Sequence, residues 1–292
     1  MEIYNFVPRQ EKQMKLIAFK TNDTGGLKKK NGKSLLKKNK KQTRKLHSKL
    51  FAKKERALLV VIQAMDAAGK NSTIKHVFNT LNPAGLQVHE FTEPTSNEQK
   101  HDYLWRLHKA LPEKGQIAIF NRSYYEEVIT TKVHPEYLLD QKIPGVKNPD
   151  YISEEFWKAR YEQIRNYEKY LIQNGTEILK FFLHISYDKQ RKRFLRRINR
   201  NDKHWKFEIK DVYERKHWDA YQQAYEKCIT ETHTKIAPWY IIPADRKWFM
   251  WLAVSEILKK KLQSLDLKYP EADNSKLKEM TQALEILKLE MS

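Results

Sequence analysis

Six charged residues stand in three pairs, each pair four positions apart: Asp66 and Lys70, Arg122 and Glu126, Arg193 and Arg197. The first pair closes Gln63-Ala-Met-Asp-Ala-Ala-Gly-Lys70, a loop of small residues between an aliphatic run, Ala57-Leu-Leu-Val-Val-Ile, and the helix-like Asn71-Ser-Thr-Ile-Lys-His-Val-Phe78. Ala67, Ala68 and Gly69 let backbone N–H groups come close to an anion. The helix N-terminus at Asn71 and Ser72 adds partial positive charge. Lys70 then reaches the more distal phosphate, which is the physics of a P-loop. The loop departs from G-x-x-x-x-G-K-[ST]: Ala64 stands at the first glycine and Asn71 at the hydroxyl. A βα turn that happens to contain Gly-Lys is the alternative. Asp66 tips the balance, because a carboxylate in such a loop repels phosphate unless a metal lies between them. Asp66 therefore reads as a Mg²⁺ ligand, direct or through water.

Phosphoryl transfer asks a protein for charge neutralisation and in-line positioning rather than covalent chemistry. Lys70, Arg122 and Arg193 are the candidates for the first task. Arg193 and Arg197 share a helix face. That helix holds seven Lys or Arg in residues 189–200, whose mutual repulsion favours a nearby anion over a merely solvated face. Asn121 stands where many P-loop enzymes carry a metal-binding Asp, and its amide oxygen can still ligate Mg²⁺ without charge. Glu126 supplies the missing carboxylate or contacts the acceptor; otherwise it is a surface helix acid. Tyr124 and Tyr125 either stack on a base or pack. Lys75, one turn beyond Lys70, joins the phosphate-binding candidates.

These groups need a scaffold, and strands alternate with helices along the chain. After the first strand, loop and helix comes a turn at Leu81-Asn-Pro-Ala-Gly85, then a second strand over Leu86-Gln-Val-His-Glu-Phe91. A helix opened by Pro94 and Ser96 is predicted to about Leu111, followed by a third strand, Ile117-Ala-Ile-Phe120, with Asn121 to Glu126 at its end. Beyond a loop over 134–152 the pattern predicts a helix over 153–174 capped by Ser153, a fourth strand over 178–185 and the basic helix 189–200. A polar connection (202–210), a helix from Asp211 to about Thr230, a fifth strand over 239–243 and an apolar-faced helix over 247–264 complete it. Such alternation predicts a parallel sheet with right-handed crossovers, and ligands then lie at the carboxyl ends of the strands.

Residues 1–27 read as an irregular arm. Residues 28–56 hold fourteen Lys or Arg and one acid, Glu55. Leu36, Thr43, Leu46 and Leu50 recur at helical spacing, predicting an amphipathic helix from about Ser34 to Lys54. Its outer face is either simply solvated or a polyanion-docking surface. In the tail 273–292, Leu277, Met280, Leu284 and Leu287 form a stripe suited to packing on the body or on a partner subunit. At 292 residues and 40% hydrophobic, the chain can bury a sizeable core. Its net charge of +20 draws polyanions: nucleic acid, an anionic membrane or a phosphate polymer. The single cysteine, Cys228, excludes an internal disulfide and a cysteine zinc site. The N-terminus lacks the basic-then-apolar pattern of a signal peptide, and the longest aliphatic run is six residues. A cytoplasmic protein without membrane insertion is expected.

Five separated blocks resemble the polyphosphate kinase 2 family: Gln63-Ala-Met-Asp-Ala-Ala-Gly-Lys70, His101-Asp-Tyr-Leu-Trp-Arg106, Phe120-Asn-Arg-Ser-Tyr-Tyr-Glu126, Gln190-Arg-Lys-Arg-Phe194, and Ala237-Pro-Trp239 with Ile242-Pro-Ala-Asp245. The resemblance runs from about residue 58 to 265. It implies an α/β fold of the three-layer α/β/α P-loop kinase type, with a central parallel sheet of about five strands and a helical basic lid over about 187–215. The basic arm and helix 1–56 and the tail 266–292 flank that catalytic domain, 57–265. It further implies reversible, Mg²⁺-dependent transfer of the terminal phosphoryl group of inorganic polyphosphate to adenine or guanine nucleotides, in a dimer or tetramer. Asn121 with Glu126 is similar to the class III subgroup, which takes AMP through ADP to ATP. By the same resemblance Asp66 is the metal-associated Asp, Lys70 and Arg122 bind phosphate, and Arg193 is a lid arginine. Lys206, Asp211 and Arg215 fall in a block that contacts substrate; Asn121, Tyr125, Glu126, Asp211 and Arg215 with Asp66 make the nucleotide set. An ATP-dependent P-loop nucleotide kinase and a basic nucleic-acid-binding protein with a degenerate P-loop are the rival readings; the second leaves Asp66, Arg122 and Glu126 together unexplained.

Overall fold

Five strands form one sheet, parallel throughout, in the order β2-β3-β1-β4-β5: β1 Ala57–Gln63, β2 Leu86–Glu90, β3 Ile117–Asn121, β4 Thr176–His184 and β5 Trp239–Pro243. The structure, a computed structural model, describes residues 6–8 and 13–290. Ten α-helices accompany the strands among these residues: α1 Lys29–Lys53, α2 Lys70–Val77, α3 Trp105–His108, α4 Glu126–Val133, α5 Glu154–Gln173, α6 Tyr187–Ile198, α7 Ile209–Tyr213, α8 Trp218–Thr232, α9 Lys247–Ser264 and α10 Asn274–Leu289. α1, α2 and α9 pack as one layer, and α4, α5 and α8 pack as the other. This is the three-layer α/β/α arrangement expected.

The strand sequences explain the sheet. β1 is buried at all seven positions and reads as an unbroken aliphatic run, because both its faces are covered. β2 lies at an edge; its Gln87, Val88, His89 and Glu90 are half-buried or exposed. β1 sits beside both β3 and β4, so Val60 has Ile119 on one side and Leu179 on the other. The ends of β1 and β3 are therefore adjacent.

Several expectations are corrected. The helix predicted to Leu111 is only a 3₁₀ turn, Glu98–Lys100, and the single turn α3. Asp102 takes the Leu104 N–H on its side chain (2.9 Å), offering the backbone an alternative to helix. The helix predicted over 211–230 is split into α7, a 3₁₀ turn at Glu214–His217 and α8. The loop 134–152 contains 3₁₀ turns at Pro135–Gln141 and Pro149–Tyr151.

α1 begins five residues earlier than expected; of its expected face Thr43 and Leu50 are buried and Leu36 and Leu46 pack half-buried against the core, with Gly32, Asn39 and His47 buried beside them. Asn39 donates to Ser255 Oγ (3.1 Å) and Glu256 Oε2 (2.8 Å) of α9, and His47 Nε2 pairs with the Gly85 carbonyl (3.0 Å). Gly32 is required by close approach: a Cβ there would lie 2.3 Å from Trp248 Cζ3. The described part of the arm is not loose. Phe6, Met14 and Leu16 are buried in the same core as the sheet, and Leu16 N–H donates to Glu226 (2.8 Å). α10 buries nothing: Leu277, Met280, Leu284 and Leu287 are each about half exposed, so the stripe does not pack on the body. Among the described residues, no helix is long and apolar enough to cross a membrane.

Candidate active site

The loop after β1 is bent by two residues in the left-handed region, Ala67 (φ 57°) and Gly69 (φ 116°). Gly69 is the N-cap of α2, and a Cβ there would meet Met250 Cε at 3.0 Å. Lys70 folds back over the loop, its Nζ donating to the Ala64 carbonyl at 3.0 Å and standing 4.0 Å from Asp66 Oδ1. Burial pushes the Lys70 ammonium down and Arg122 adds to that, against the pull of Asp66, Glu126 and Asp211. Five of the charges singled out in the sequence therefore share one electrostatic environment.

Arg122 follows the last residue of β3 with φ 64°, a conformation that costs a non-glycine residue about 1–3 kcal/mol. Its N–H is tied to the Ile62 carbonyl of β1 (3.2 Å), and its guanidinium lies 3.5 Å from Asp66 Oδ1. Burial pulls the Arg122 pKa down, but Glu126, Asp66, Tyr225 and Glu90 outweigh it, so the guanidinium is held more firmly charged than usual. Glu126 opens α4 and accepts from Thr130 Oγ1 at 2.5 Å. Asp66, Lys70, Arg122 and Glu126 are thus brought together where two neighbouring strands end.

α6 closes on the loop from the other side. Arg193 donates to the carbonyls of Ala67 (2.9 Å), Ala68 and Ala244 (2.5 Å), so its hydrogen bonds serve the loop backbone itself. Burial pushes it down to about 10, Asp245 opposing and Arg197 adding to the effect. Gln190 bridges the Asp66 carbonyl (2.9 Å) and the Arg215 guanidinium (2.5 Å), and Arg215 lies 3.9 Å over the Tyr187 ring. Arg197 pairs with Asp211 at 3.1 Å, and burial raises the Asp211 carboxyl with Asp66 adding to it. Lys206 ends the 3₁₀ turn Asn201–Lys206, with its Nζ 4.4 Å over Trp205. Lys210 reaches Glu93, and Glu214 takes His134 Nε2 (3.0 Å), so the segment after α6 is fastened across both walls of the site.

Two sequence readings change. Tyr125 is completely buried with its hydroxyl bonded to Glu168 (2.6 Å), so it has no surface to offer a nucleotide; Tyr124 is packed likewise. Lys75 is exposed in the last turn of α2, away from the loop amides at its start, and is not part of the cluster. Asn121 is buried and donates to Asn71 Oδ1 (2.8 Å), which occupies the side chain of Asn71. Ser72 is half-buried in the first turn of α2, where its carbonyl accepts from His76 (2.9 Å). Sequence reading missed Gln190 and Tyr225 as site residues. Tyr225 is buried on α8, its hydroxyl pushed well up by burial and by Glu126 and Asp66.

Among the described residues no three His, Cys, Asp or Glu side chains gather to enclose a metal. Asp66 makes no close hydrogen bond through its carboxylate to its two cations, and Asn121 Oδ1 is buried without a partner. One carboxylate and one free amide oxygen suit Mg²⁺, which keeps several waters and takes much of its shell from substrate phosphates.

A family model described as Polyphosphate kinase 2 (PPK2) matches residues 26–270. The chain is 47% identical over 237 residues to an ADP-polyphosphate phosphotransferase of Rhodopseudomonas palustris, covering 81% of each. It is 44% identical over 231 residues to an AMP/ADP-polyphosphate phosphotransferase of Meiothermus ruber, covering 79% of this chain and 81% of the relative. The crystal structure of Polyphosphate Kinase 2 from Arthrobacter aurescens TC1 superposes with a TM-score of 0.86 at 34% identity, over 96% of this chain and 95% of that one.

Proposed function

This chain belongs to the polyphosphate kinase 2 family and is a polyphosphate-dependent nucleotide phosphotransferase, and on that basis we propose the finer reaction: Mg²⁺-dependent, reversible transfer of the terminal phosphoryl group of polyphosphate to AMP and to ADP. The names of the two similar phosphotransferases support both acceptors. Guanine nucleotides as further acceptors belong to the same proposal on the family resemblance alone. The observation that carries the site is Asp66 set 3.5 Å from Arg122 and 4.0 Å from Lys70 where β1 and β3 end side by side.

In this reading the amides of Gly69, Lys70, Asn71 and Ser72, with Ala67 and Ala68 shaping the loop, cradle the polyphosphate end. A terminal phosphate oxygen of the nucleotide attacks the terminal phosphorus. The bridging P–O bond breaks, and the polymer leaves one phosphate shorter. Lys70 and Arg122 neutralise charge on the migrating group and hold it in line. Arg193 keeps the loop carbonyls turned away from the incoming anion. Asp66 and Asn121 would hold Mg²⁺, which when bound neutralises phosphate oxygens. Glu126 keeps Arg122 charged and faces the acceptor, while Arg197, Lys206, Asp211 and Arg215 line the lid side. A cytoplasmic location and a homo-oligomer, dimer or tetramer, belong to the same proposal; the uncovered stripe of α10 supports the second.

The test is the purified protein with long-chain polyphosphate and AMP, with and without Mg²⁺, and chromatography of the nucleotides. ADP followed by ATP, only with Mg²⁺, is expected. ATP formed from ADP with AMP left untouched would overturn the AMP step. Phosphorylation of AMP by ATP with no polyphosphate present, and none by polyphosphate, would overturn the donor.

A further inference from the structure

Glu168 of α5 and Lys180 of β4 form an ion pair out of reach of water: 2.7 Å between Oε2 and Nζ, with side chains 1% and 0% exposed. All three ammonium protons are used, on Glu168, on the Tyr125 hydroxyl (2.9 Å) and on the Thr232 carbonyl (2.8 Å). The other carboxylate oxygen accepts both tyrosine hydroxyls, Tyr124 at 2.9 Å and Tyr125 at 2.6 Å. A buried pair of this kind seldom stabilises a fold more than apolar residues of the same volume would. Its presence asks for another reason.

The reason lies in what the pair grips. Tyr124 and Tyr125 stand between Arg122 and Glu126, in a segment that leaves β3 through the strained backbone of Arg122 (φ 64°). An arginine does not adopt that conformation unless its surroundings impose it. Several fastenings hold the segment, the Glu126 N–H on the Ser123 carbonyl (3.0 Å) among them. Arg122 N–H is held by Ile62, Ser123 Oγ accepts from Gln63 and from the Tyr125 N–H (each 3.2 Å), and the two tyrosine hydroxyls reach the ion pair. Trp239 closes the cage, its ring 4.6 Å from that of Tyr125 and its indole N–H on Thr232 Oγ1 (2.9 Å).

We infer that Glu168 and Lys180, through Tyr124 and Tyr125, are positioning residues that hold Arg122 in its strained conformation beside Asp66. This rests on the reading of Arg122 as a group that works on the phosphate.

The experiment compares kcat, corrected for folded fraction by thermal melts, of Tyr124→Phe/Tyr125→Phe in two backgrounds, the natural chain and Arg122→Ala. The double phenylalanine variant keeps both rings and the ion pair. It should fold cooperatively and lose about tenfold in kcat, whereas in the Arg122→Ala background it should cost less than twofold, because there is no guanidinium left to misplace. A merely structural role gives the same loss in both backgrounds and overturns the inference. So does a double variant within twofold of the natural chain. If Arg122→Ala itself keeps near-normal activity, the reading of the site fails rather than the positioning. Tyr125→Phe alone serves in the same cycle, with an expected loss of about threefold, if the double variant does not fold. Glu168→Gln, which keeps the shape and weakens the grip on Lys180, should fall between the natural chain and the double variant, and a kcat equal to that of the natural chain would overturn the inference.

Discussion

Three residues at the site, Ala67, Gly69 and Arg122, hold backbone conformations that only glycine adopts freely, and Arg122 is the bulkiest of them. Arg122→Gly should relieve about 1 kcal/mol or more of strain, offsetting the lost attraction to Asp66 and Glu126, so the unfolding temperature should move by only a few degrees. kcat should nevertheless fall by about a hundredfold or more. A melt and a rate on the same preparation check this, and a variant that keeps its rate would remove Arg122 from the chemistry. Gly69 is the converse case, since an alanine there would need φ 116° and meet Met250 at 3.0 Å. Gly69→Ala should cost about 1–3 kcal/mol by thermal melt, and an unshifted melt would contradict the loop geometry. The spacing of Asp66, Lys70, Arg122 and Glu126 was legible in the sequence because each pair spans one local turn at a strand end. Gln190 and Tyr225 were not, because distant elements bring them in. Tyr125 misled because an aromatic beside a site reads alike whether it faces ligand or core; only Glu168 and Lys180, 43 and 55 residues on, decide it.

At the level of elements, continuous apolar runs made the five strands readable, and their alternation with helices made the parallel sheet readable. The failures have a common cause: side chains that compete for the backbone, as Asp102 does, or that pair across the molecule. α1 shows the second. Its buried face carries the expected Thr43 and Leu50, but also Asn39 and His47, polar residues whose partners lie on α9 and at Gly85 and which hydrophobic spacing alone could not pick out. Gly32 tests that packing. Glycine to alanine in a helix interior ordinarily stabilises by about 1 kcal/mol. Here the new methyl would sit 2.3 Å from the Trp248 ring, and overpacking costs about 1–3 kcal/mol. Gly32→Ala should therefore lower the unfolding temperature; a rise would mean that α1 does not lie against Trp248.

For the whole molecule, the pH profile of stability follows from buried imidazoles. Burial pushes His184 down to about 4, with Asp245 and backbone groups of Leu16 and Phe19 only partly offsetting it. In the unfolded chain the ring protonates near its ordinary value of about 6.5. Between pH 6.5 and 4 the unfolded state therefore binds the extra proton, and stability falls as pH falls, by about 1.4 kcal/mol per unit for this group. Above pH 6.5 its contribution is complete. His184→Asn should show a shallower decline over that window in denaturant unfolding, and an unchanged slope would contradict the assignment. At the C-terminus, none of α10 is buried. Deleting residues 273–292 should leave the unfolding of the body unchanged while light scattering reports a smaller assembly; the same mass as before would discard the stripe as an interface. The most direct measurement is the polyphosphate-dependent kcat of Asp66→Asn, which keeps the shape of the loop and removes the charge beside Arg122 and Lys70. A fall of about a hundredfold to a thousandfold with an unfolding temperature within a few degrees of the natural chain is predicted. A rate within tenfold of the natural one, in a folded protein, would contradict a metal-bearing phosphate site at the end of β1.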